Sequence, residues 1–345
     1  MSARRVRVVI TSPLEDEFLD RIRAVDPRLE LDVPHDLLAE PRYPSDHPLP
    51  TLDGAQARER WEALLDEAEV LFDFGPLELA PTLAQRPKLR WIQATSSGVG
   101  RLVGRVGLRD SSVAVTTASG VHARPLAEFA LLALLMFGKR TLELVADQRA
   151  RRWQRHAGEE LRGKTVCVAG LGKVGCEVAR LARAFDMRVV GTVRAVRGRT
   201  AEELGVDRLE GPEGLDDLLG EADAVVLAAP DTSETRALLD ARRLALMKRD
   251  AVLVNVGRGS LVDERALVEA LRSGHLRGAA LDVFEREPLP PESPLWDLPN
   301  VFVSPHSAST VAQENARITG LFCANLRRYL DGEPLVNLLD PERGY

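Results

Sequence analysis

The chain has only three cysteines in 345 residues, Cys167, Cys176 and Cys323. Their spacing fits neither a disulfide framework nor a metal site. An excess of positive charge is also missing. The net charge is -6, so the footprint of a nucleic-acid binder is absent. The basic patch ARRWQR at 150–155 reads as a solvated helix face. No apolar run reaches membrane-spanning length. The most apolar, LAEFALLALLMFGK at 126–139, contains Glu128 and ends at Lys139. The opening MSARRVRVVITSP carries basic residues, but its apolar run is too short for a signal peptide and reads as a strand. Repeats and low-complexity stretches are lacking. These absences predict a reducing, cytoplasmic compartment, no membrane and no nucleic-acid partner. What is present is a hydrophobic content of 45% with mixed charge, which argues against disorder. The length suffices for two domains with their own cores.

Strand-like and helix-like segments alternate almost throughout. VRVVIT, LELDV, VLFDFG, RWIQAT and SVAVTT are strand-like in the first third. TVCVAG, MRVVGTV, DAVVLAAP, AVLVNVG, GAALDV and VFVSP follow further on. Helical patterns between such runs imply βαβ units and parallel sheets. The predicted fold class is α/β: two Rossmann-like doubly wound parallel-sheet domains with a cleft between them. Residues 1–123 plus 309–345 form the predicted substrate (catalytic) domain, and 124–308 the dinucleotide-binding domain. A long apolar helix from about Arg124 to Gln154 and a terminal helix over TVAQENARITGLFCANLRRYL make the two crossings. Segment 34–55 carries five prolines without periodicity and reads as a loop.

TVCVAG runs into Gly170-Leu171-Gly172-Lys173-Val174-Gly175 and a helical VGCEVARLARAF, with a second strand beyond. In that context G-x-G-x-x-G is a dinucleotide signature. Gly170 allows the turn, Gly172 lets backbone approach the pyrophosphate, and Gly175 lets the helix pack on the strand. The helix N-terminus offers N–H groups to phosphate. An NAD-binding unit carries a carboxylate at the end of the second strand for the ribose hydroxyl. Here that strand ends at Val193, followed by Arg194, Arg197 and Arg199. Arginines there pair with a 2′-phosphate, which favours NADP(H) while leaving NAD(H) possible. The same arginines also fit a solvated surface.

Three late segments each place one polar group at or beyond a strand-like run: Arg258 in VNVGRGSLVDE, Glu287 in ALDVFEREP and His306 in VFVSPHSA. Ligands of open α/β sheets sit outside the carboxyl ends of strands. A guanidinium, a carboxylate and an imidazole at one edge suit proton and hydride transfer at a single carbon.

These segments resemble the D-isomer-specific 2-hydroxyacid dehydrogenase family, which includes glyoxylate/hydroxypyruvate reductases and phosphoglycerate dehydrogenases. The N-x-x-R-G-x-x-V-D-E pattern is met by Asn255, Arg258, Gly259, Val262, Asp263 and Glu264. D-V-F-x-x-E-P is met by Asp282, Val283, Phe284, Glu287 and Pro288, and P-H by Pro305 and His306. The resemblance implies that His306 is the general acid, Glu287 its orienting partner, and Arg258 the group that binds the substrate carboxylate and polarises the carbonyl. The expected cofactor contacts are Gly170, Gly172, Lys173, Val174 and Gly175 of the loop, Arg194 after the second strand, Val256 and Gly257, and, implied by the resemblance, Pro230 and Asp282. Asp282 is expected to accept from the nicotinamide carboxamide. The resemblance implies substrate contacts from the backbone of Ser97, Gly98 and Val99; the family often has Asp after the Gly-Val pair, where this chain has Gly100. Arg124 reads either as a substrate contact or, with Pro125, as a helix start. A homodimer built through the long apolar helix is implied, with Trp153 expected to be buried in its own chain or to reach the neighbouring subunit. The activity implied is hydride transfer between a nicotinamide cofactor and a small 2-keto or D-2-hydroxy acid. Phosphoglycerate oxidation and a dinucleotide-sensing corepressor are the alternatives.

Overall fold

The computed structural model describes residues 4–340. Its chain divides into two compact units, one over Met1–Val121 with Thr310–Tyr345, the other over His122–Ser309. Each is built on a parallel sheet.

The first unit orders its five strands β2-β1-β3-β4-β5, all parallel. The strands are β1 (Val6–Ile10), β2 (Leu29–Asp32), β3 (Val70–Phe72), β4 (Trp91–Gln93) and β5 (Ala114–Thr116). β3 and β4 are buried at every position, as strands covered on both faces must be. The unit's α-helices are α1 (Asp16–Arg23), α2 (Ala55–Glu67) and α3 (Gly100–Arg105), joined by the terminal α10 (Glu314–Asp331). One face buries Trp61, Leu65, Leu71 and Ile92. The other buries Val8, Ile10, Phe72 and Trp91 against Ile318, Phe322 and Leu326 of the terminal helix. Phe322 meets Phe72 edge-on at 5.1 Å between ring centroids and Trp91 at 5.2 Å.

The second unit has seven parallel strands ordered β12-β11-β10-β9-β6-β7-β8. They are β6 (Thr165–Ala169), β7 (Arg188–Thr192), β8 (Arg208–Glu210), β9 (Ala224–Leu227), β10 (Val252–Asn255), β11 (Gly278–Leu281) and β12 (Val301–Val303). The order reverses between β6 and β9, which is the switch point where open sheets bind dinucleotides. The helices are α4 (Ala123–Gly138), α5 (Thr141–Arg149), α6 (Lys173–Ala184), α7 (Leu215–Glu221), α8 (Ala241–Leu246) and α9 (Glu264–Arg272), ahead of α10 in the chain. α4 and α6 pack together on one face, burying Ala127, Ala130, Leu134, Val178 and Ala182 with Val166 and Val254.

The structure departs from the sequence pattern in four places. The apolar segment from Arg124 is not one helix. It stops at Gly138, passes through Arg140 in the left-handed region (φ 58°), and resumes as α5. A second left-handed residue, Arg151 (φ 53°), follows the end of α5. ARRWQR is therefore exposed, but mostly as irregular chain rather than helix face. Trp153 is not buried in its own chain: it is 100% exposed. The chain leaves the helix just before it, and Asp147 holds the departing segment by Arg152 (2.6 Å) and His156 (2.6 Å), turning Trp153 outward. Lastly, β8 had no counterpart in the sequence pattern. Among the described residues no helix is long and apolar enough to cross a membrane.

Candidate active site

The carboxyl edge of the second sheet collects the polar groups. Register sets Thr192, Ala169, Leu227, Asn255, Leu281 and Val303 in one row across β7, β6, β9, β10, β11 and β12. Gly170, Arg194, Pro230, Arg258, Asp282 and His306 each lie one to three residues beyond that row. One sheet edge thus brings together residues spread over more than a hundred positions of sequence.

The glycine loop sits at the switch point. Gly170 has φ 103°, and a side chain there would meet the backbone of Ala229 at 2.8 Å; on Gly175 it would meet the Gly170 carbonyl at 2.1 Å. These glycines let β6, α6 and the turn after β9 close on one another. Gly172 differs: a Cβ there meets nothing in the chain within 4 Å, so it borders open space. No side chain caps α6, and the first-turn N–H groups of a helix have no carbonyl partner within it. Open space before uncapped N–H groups fits a pyrophosphate.

At the end of β7 a further correction arises. Val193, expected at the cofactor-discriminating position, is 4% exposed and packs in the apolar cluster with Leu171 and Val206. The first exposed side chain past the strand is Arg194. Pro230, exposed, follows β9 and its carbonyl accepts from Thr235 Oγ1 at 2.6 Å.

Arg258 leaves β10 on a turn that Asn255 shapes from both sides. Asn255 Oδ1 accepts from the Gly257 N–H at 3.1 Å, and its Nδ2 donates to the Arg258 carbonyl at 3.0 Å. Val256 and Gly257 are buried in this turn. Nη1 of Arg258 donates to the Gly257 carbonyl at 2.6 Å. A Cβ on Gly259 would lie 1.9 Å from the Phe284 carbonyl, so the Arg258 turn and the Glu287 loop are in direct backbone contact. Glu264 and Glu285 brace the same junction, each backbone N–H donating to the other's carboxylate (3.3 and 2.5 Å).

His306 follows β12 in the left-handed region, φ 53°, the kind of strain that persists only where neighbours over-determine it. Asp282 does most of that. Its backbone carbonyl accepts from the His306 N–H at 2.8 Å. Its buried Oδ1 accepts from Ser304 Oγ (2.6 Å) and from the N–H groups of Ser307 (2.8 Å) and Ala308 (2.9 Å). The Asp282 carboxylate therefore organises the His306 turn, besides any contact it offers a cofactor. His306 Nδ1 meets Glu287 Oε2 at 2.8 Å, and Phe284 N–H donates to Glu287 Oε1 at 3.0 Å. The Glu287 hydrogen bond raises the His306 pKa against the opposing effect of burial. Burial pushes the Glu287 carboxyl up, but the His306 and Phe284 hydrogen bonds outweigh it and the net shift is downward. The Glu287–Pro288 peptide is cis.

Arg124 opens α4, and its guanidinium pairs with Glu128 (2.5 Å) and Glu177 (3.1 Å), which supports the helix-start reading. In the first unit, Ser97, Gly98 and Val99 lie between β4 and α3; Gly98 N–H donates to Ser96 Oγ at 3.3 Å. In the sequence Asn255 and Glu264 stand only as members of the motif around Arg258, and Ser304 is not singled out; the fold shows that all three shape the site.

The model of the D-isomer specific 2-hydroxyacid dehydrogenase NAD-binding domain matches residues 131–308. The chain belongs to the D-isomer specific 2-hydroxyacid dehydrogenase family. A glyoxylate reductase of Aeropyrum pernix is 36% identical over 269 residues, covering 75% of this chain and 79% of that protein. The crystal structure of a Xanthobacter autotrophicus family member in complex with NADPH and MES has 32% identity and a TM-score of 0.78, covering 99% of this chain and 100% of that one. The NADPH-dependent glyoxylate/hydroxypyruvate reductase of Sinorhizobium meliloti, in complex with NADP and sulfate, has 28% identity and a TM-score of 0.78 with the same coverage. The protein is an NAD(P)-dependent oxidoreductase of small 2-keto and 2-hydroxy acids, with two parallel-sheet α/β units, as the sequence predicted.

Proposed function

We propose that this member of the family reduces a 2-keto acid of glyoxylate or hydroxypyruvate size, with NADPH as the favoured cofactor. The observation that carries the reading is the 2.8 Å contact between Glu287 and His306, beside the turn that presents Arg258. When bound, the reduced nicotinamide supplies a hydride to the carbonyl carbon. His306 is the general acid. With Nδ1 engaged by Glu287, Nε2 delivers the proton to the carbonyl oxygen as charge builds there, and takes it back in the reverse direction. Glu287 keeps the imidazole oriented and favours its charged form. Arg258 binds the substrate carboxylate and polarises the carbonyl. In the first unit, the backbone N–H groups of Ser97, Gly98 and Val99 take the substrate carboxylate.

Gly170, Gly172, Lys173, Val174 and Gly175 hold the pyrophosphate, with Pro230, Val256 and Gly257 lining the remaining cofactor path and Asp282 beside the nicotinamide. The preference for NADPH rests on Arg194, exposed at the end of β7 where no carboxylate stands. The cofactors in the Xanthobacter and Sinorhizobium structures point the same way.

We also infer a homodimer. Leu132, Leu144, Val145 and Trp153 are exposed on α4, α5 and the segment after them, which leaves apolar side chains there for a second copy to cover. Three free cysteines, with the buried Cys167 thiol pushed up to about 12, suit a reducing cytoplasm.

The test is steady-state turnover with NADPH and NADH against glyoxylate, hydroxypyruvate, pyruvate and 3-phosphohydroxypyruvate. Failure to oxidise NADPH with any of them, in protein that binds the cofactor, would favour a sensing role instead.

A further inference from the structure

The chemistry above leaves two features of the first unit unused: the proline-rich segment 34–55 and a buried acid near it. The segment runs from the end of β2 to α2 and is pinned along its length. Ser45 Oγ accepts from the Asn315 N–H at 3.3 Å. Arg42 grips Asp46 at two points, 2.8 and 3.0 Å. His47 Nδ1 shares a 2.7 Å hydrogen bond with Ser12 Oγ, just past β1. Leu37, Leu38 and Leu52 pack on the core around Trp61. The segment is therefore a strap that delivers His47 to the carboxyl edge of the sheet.

Asp73 lies at that edge, one residue past β3, the strand beside β1. It is buried, and its φ is 71°. A buried carboxyl on a left-handed backbone is unfavourable twice over. It persists because its surroundings hold it. Thr95 Oγ1 donates to Asp73 Oδ2 at 3.0 Å. The Thr95 and Phe74 N–H groups also donate to the carboxyl, but burial outweighs them and the net shift of its pKa is upward. Next to it, Thr11 Oγ1 donates to the Phe72 carbonyl (2.8 Å) and accepts from the Gly75 N–H (2.9 Å). The chain segments leaving β1, β3 and β4 are thus tied together by side chains.

Thr95 opens the loop that carries Ser97, Gly98 and Val99. Within that loop the side-chain contact to its own backbone is the long one from Gly98 to Ser96. A loop that binds an anion through N–H groups needs its backbone held in the productive geometry by residues behind it. We propose that Asp73, tied to Thr95 at the sheet edge where the strap is anchored through His47 and Ser12, is a positioning residue that holds the 96–99 backbone ready for the substrate carboxylate. This rests on the proposed role of Ser97–Val99. The cluster lies in the first unit and the glycine loop in the second.

The decisive variant is Thr95→Val, which keeps the side-chain shape and deletes the donor. KM for glyoxylate is expected to rise about tenfold, as for one lost hydrogen bond, with kcat little changed. The NADPH Kd stays as in the unmodified protein, and Thr95→Ser restores KM. Asp73→Asn and His47→Gln, read the same way, cover the case in which Thr95→Val does not fold; they raise KM in the same direction. Binding of oxamate, an unreactive 2-keto acid analogue, to the NADPH-loaded protein is measured by calorimetry alongside. A protein that binds oxamate but reduces no 2-keto acid overturns the proposed function alone, and the variants' oxamate affinities still decide the inference. Equal oxamate affinity and equal KM in unmodified and variant proteins overturns it. So does a KM increase matched by loss of NADPH affinity, or an unmodified protein that binds no oxamate.

Discussion

Nδ1 of His306 and Oε2 of Glu287 stand 2.8 Å apart, which leaves Nε2 as the ring nitrogen that can exchange a proton with a substrate. With His306 in its proposed role as general acid, reduction requires it protonated, and kcat/KM for the keto acid should fall as pH rises through its raised pKa. Glu287→Gln removes the carboxylate that stabilises the imidazolium. The His306 pKa then drops towards the ordinary histidine range, and the alkaline fall begins at lower pH. A pH–rate profile checks this; an unmoved or upward-shifted limb in the folded variant would count against the pair. The stability of the pair follows the same signs. The His306 contribution is full below the ordinary histidine pKa and lost as pH rises through the raised one. The Glu287 contribution is present above the ordinary carboxylate pKa and lost as pH falls through the lowered one. Both side chains are partly exposed, 46% and 36%, so solvent keeps that contribution small.

His306→Ala should lower kcat by a factor of roughly a hundred or more, the usual worth of general acid catalysis. NADPH binding, measured by fluorescence, should be nearly unchanged. Near-normal turnover would remove His306 from the proposed role.

Unmodified protein should use NADPH at least about tenfold better than NADH by kcat/KM, since one charge-assisted pair is worth about that much at an exposed site. Because Val193 is buried, the informative change is at its exposed neighbour. Arg194→Asp replaces attraction for a 2′-phosphate with repulsion and should reverse the preference. Equal use of both cofactors by the unmodified protein would show that Arg194 does not discriminate.

Gly259→Ala places a methyl group where the Phe284 carbonyl already stands. Overpacking of this kind costs roughly 1–3 kcal/mol, and here it also separates the Arg258 turn from the Glu287 loop. Both Tm and kcat should fall. A variant with native Tm and activity would show that the two loops are not in the contact described.

Sedimentation velocity at micromolar concentration should find a dimer, and Leu144→Glu with Val145→Glu should shift it towards monomer. A monomeric unmodified protein would leave the exposed apolar residues of α5 without the proposed partner.

Most of the central strands were legible because burial on both faces forces continuous apolar runs, as in β6, β9 and β10. The edge strand β8 was not. Arg208, Leu209 and Glu210 are only half-buried, and Arg208 is held by pairing with Glu210 and Glu221 rather than by core packing. Arg258, Glu287 and His306 could be read because each sits at the end of an apolar run in a recognisable motif. The Asp73–Thr95 contact had no such mark; its partners come from different strands, and only the fold makes them neighbours. The break after α4 was missed although Gly138 signals it. The apolar pattern runs on into Leu142, and Arg140 adopts a left-handed backbone that its residue type does not advertise.

The second unit is continuous in sequence, whereas the first takes its sheet from the chain before it and its last helix from the chain after it. This sets an order of assembly on the ribosome, where domains generally fold as units from the N-terminus. Strands β1 to β5 emerge first, yet the face formed by Val8, Phe72 and Trp91 has no Phe322 to close on. Everything the nucleotide-binding unit needs is made before that helix is. The half synthesised first is therefore finished last, and its exposed aromatic face is the part of the nascent chain most in need of protection from aggregation.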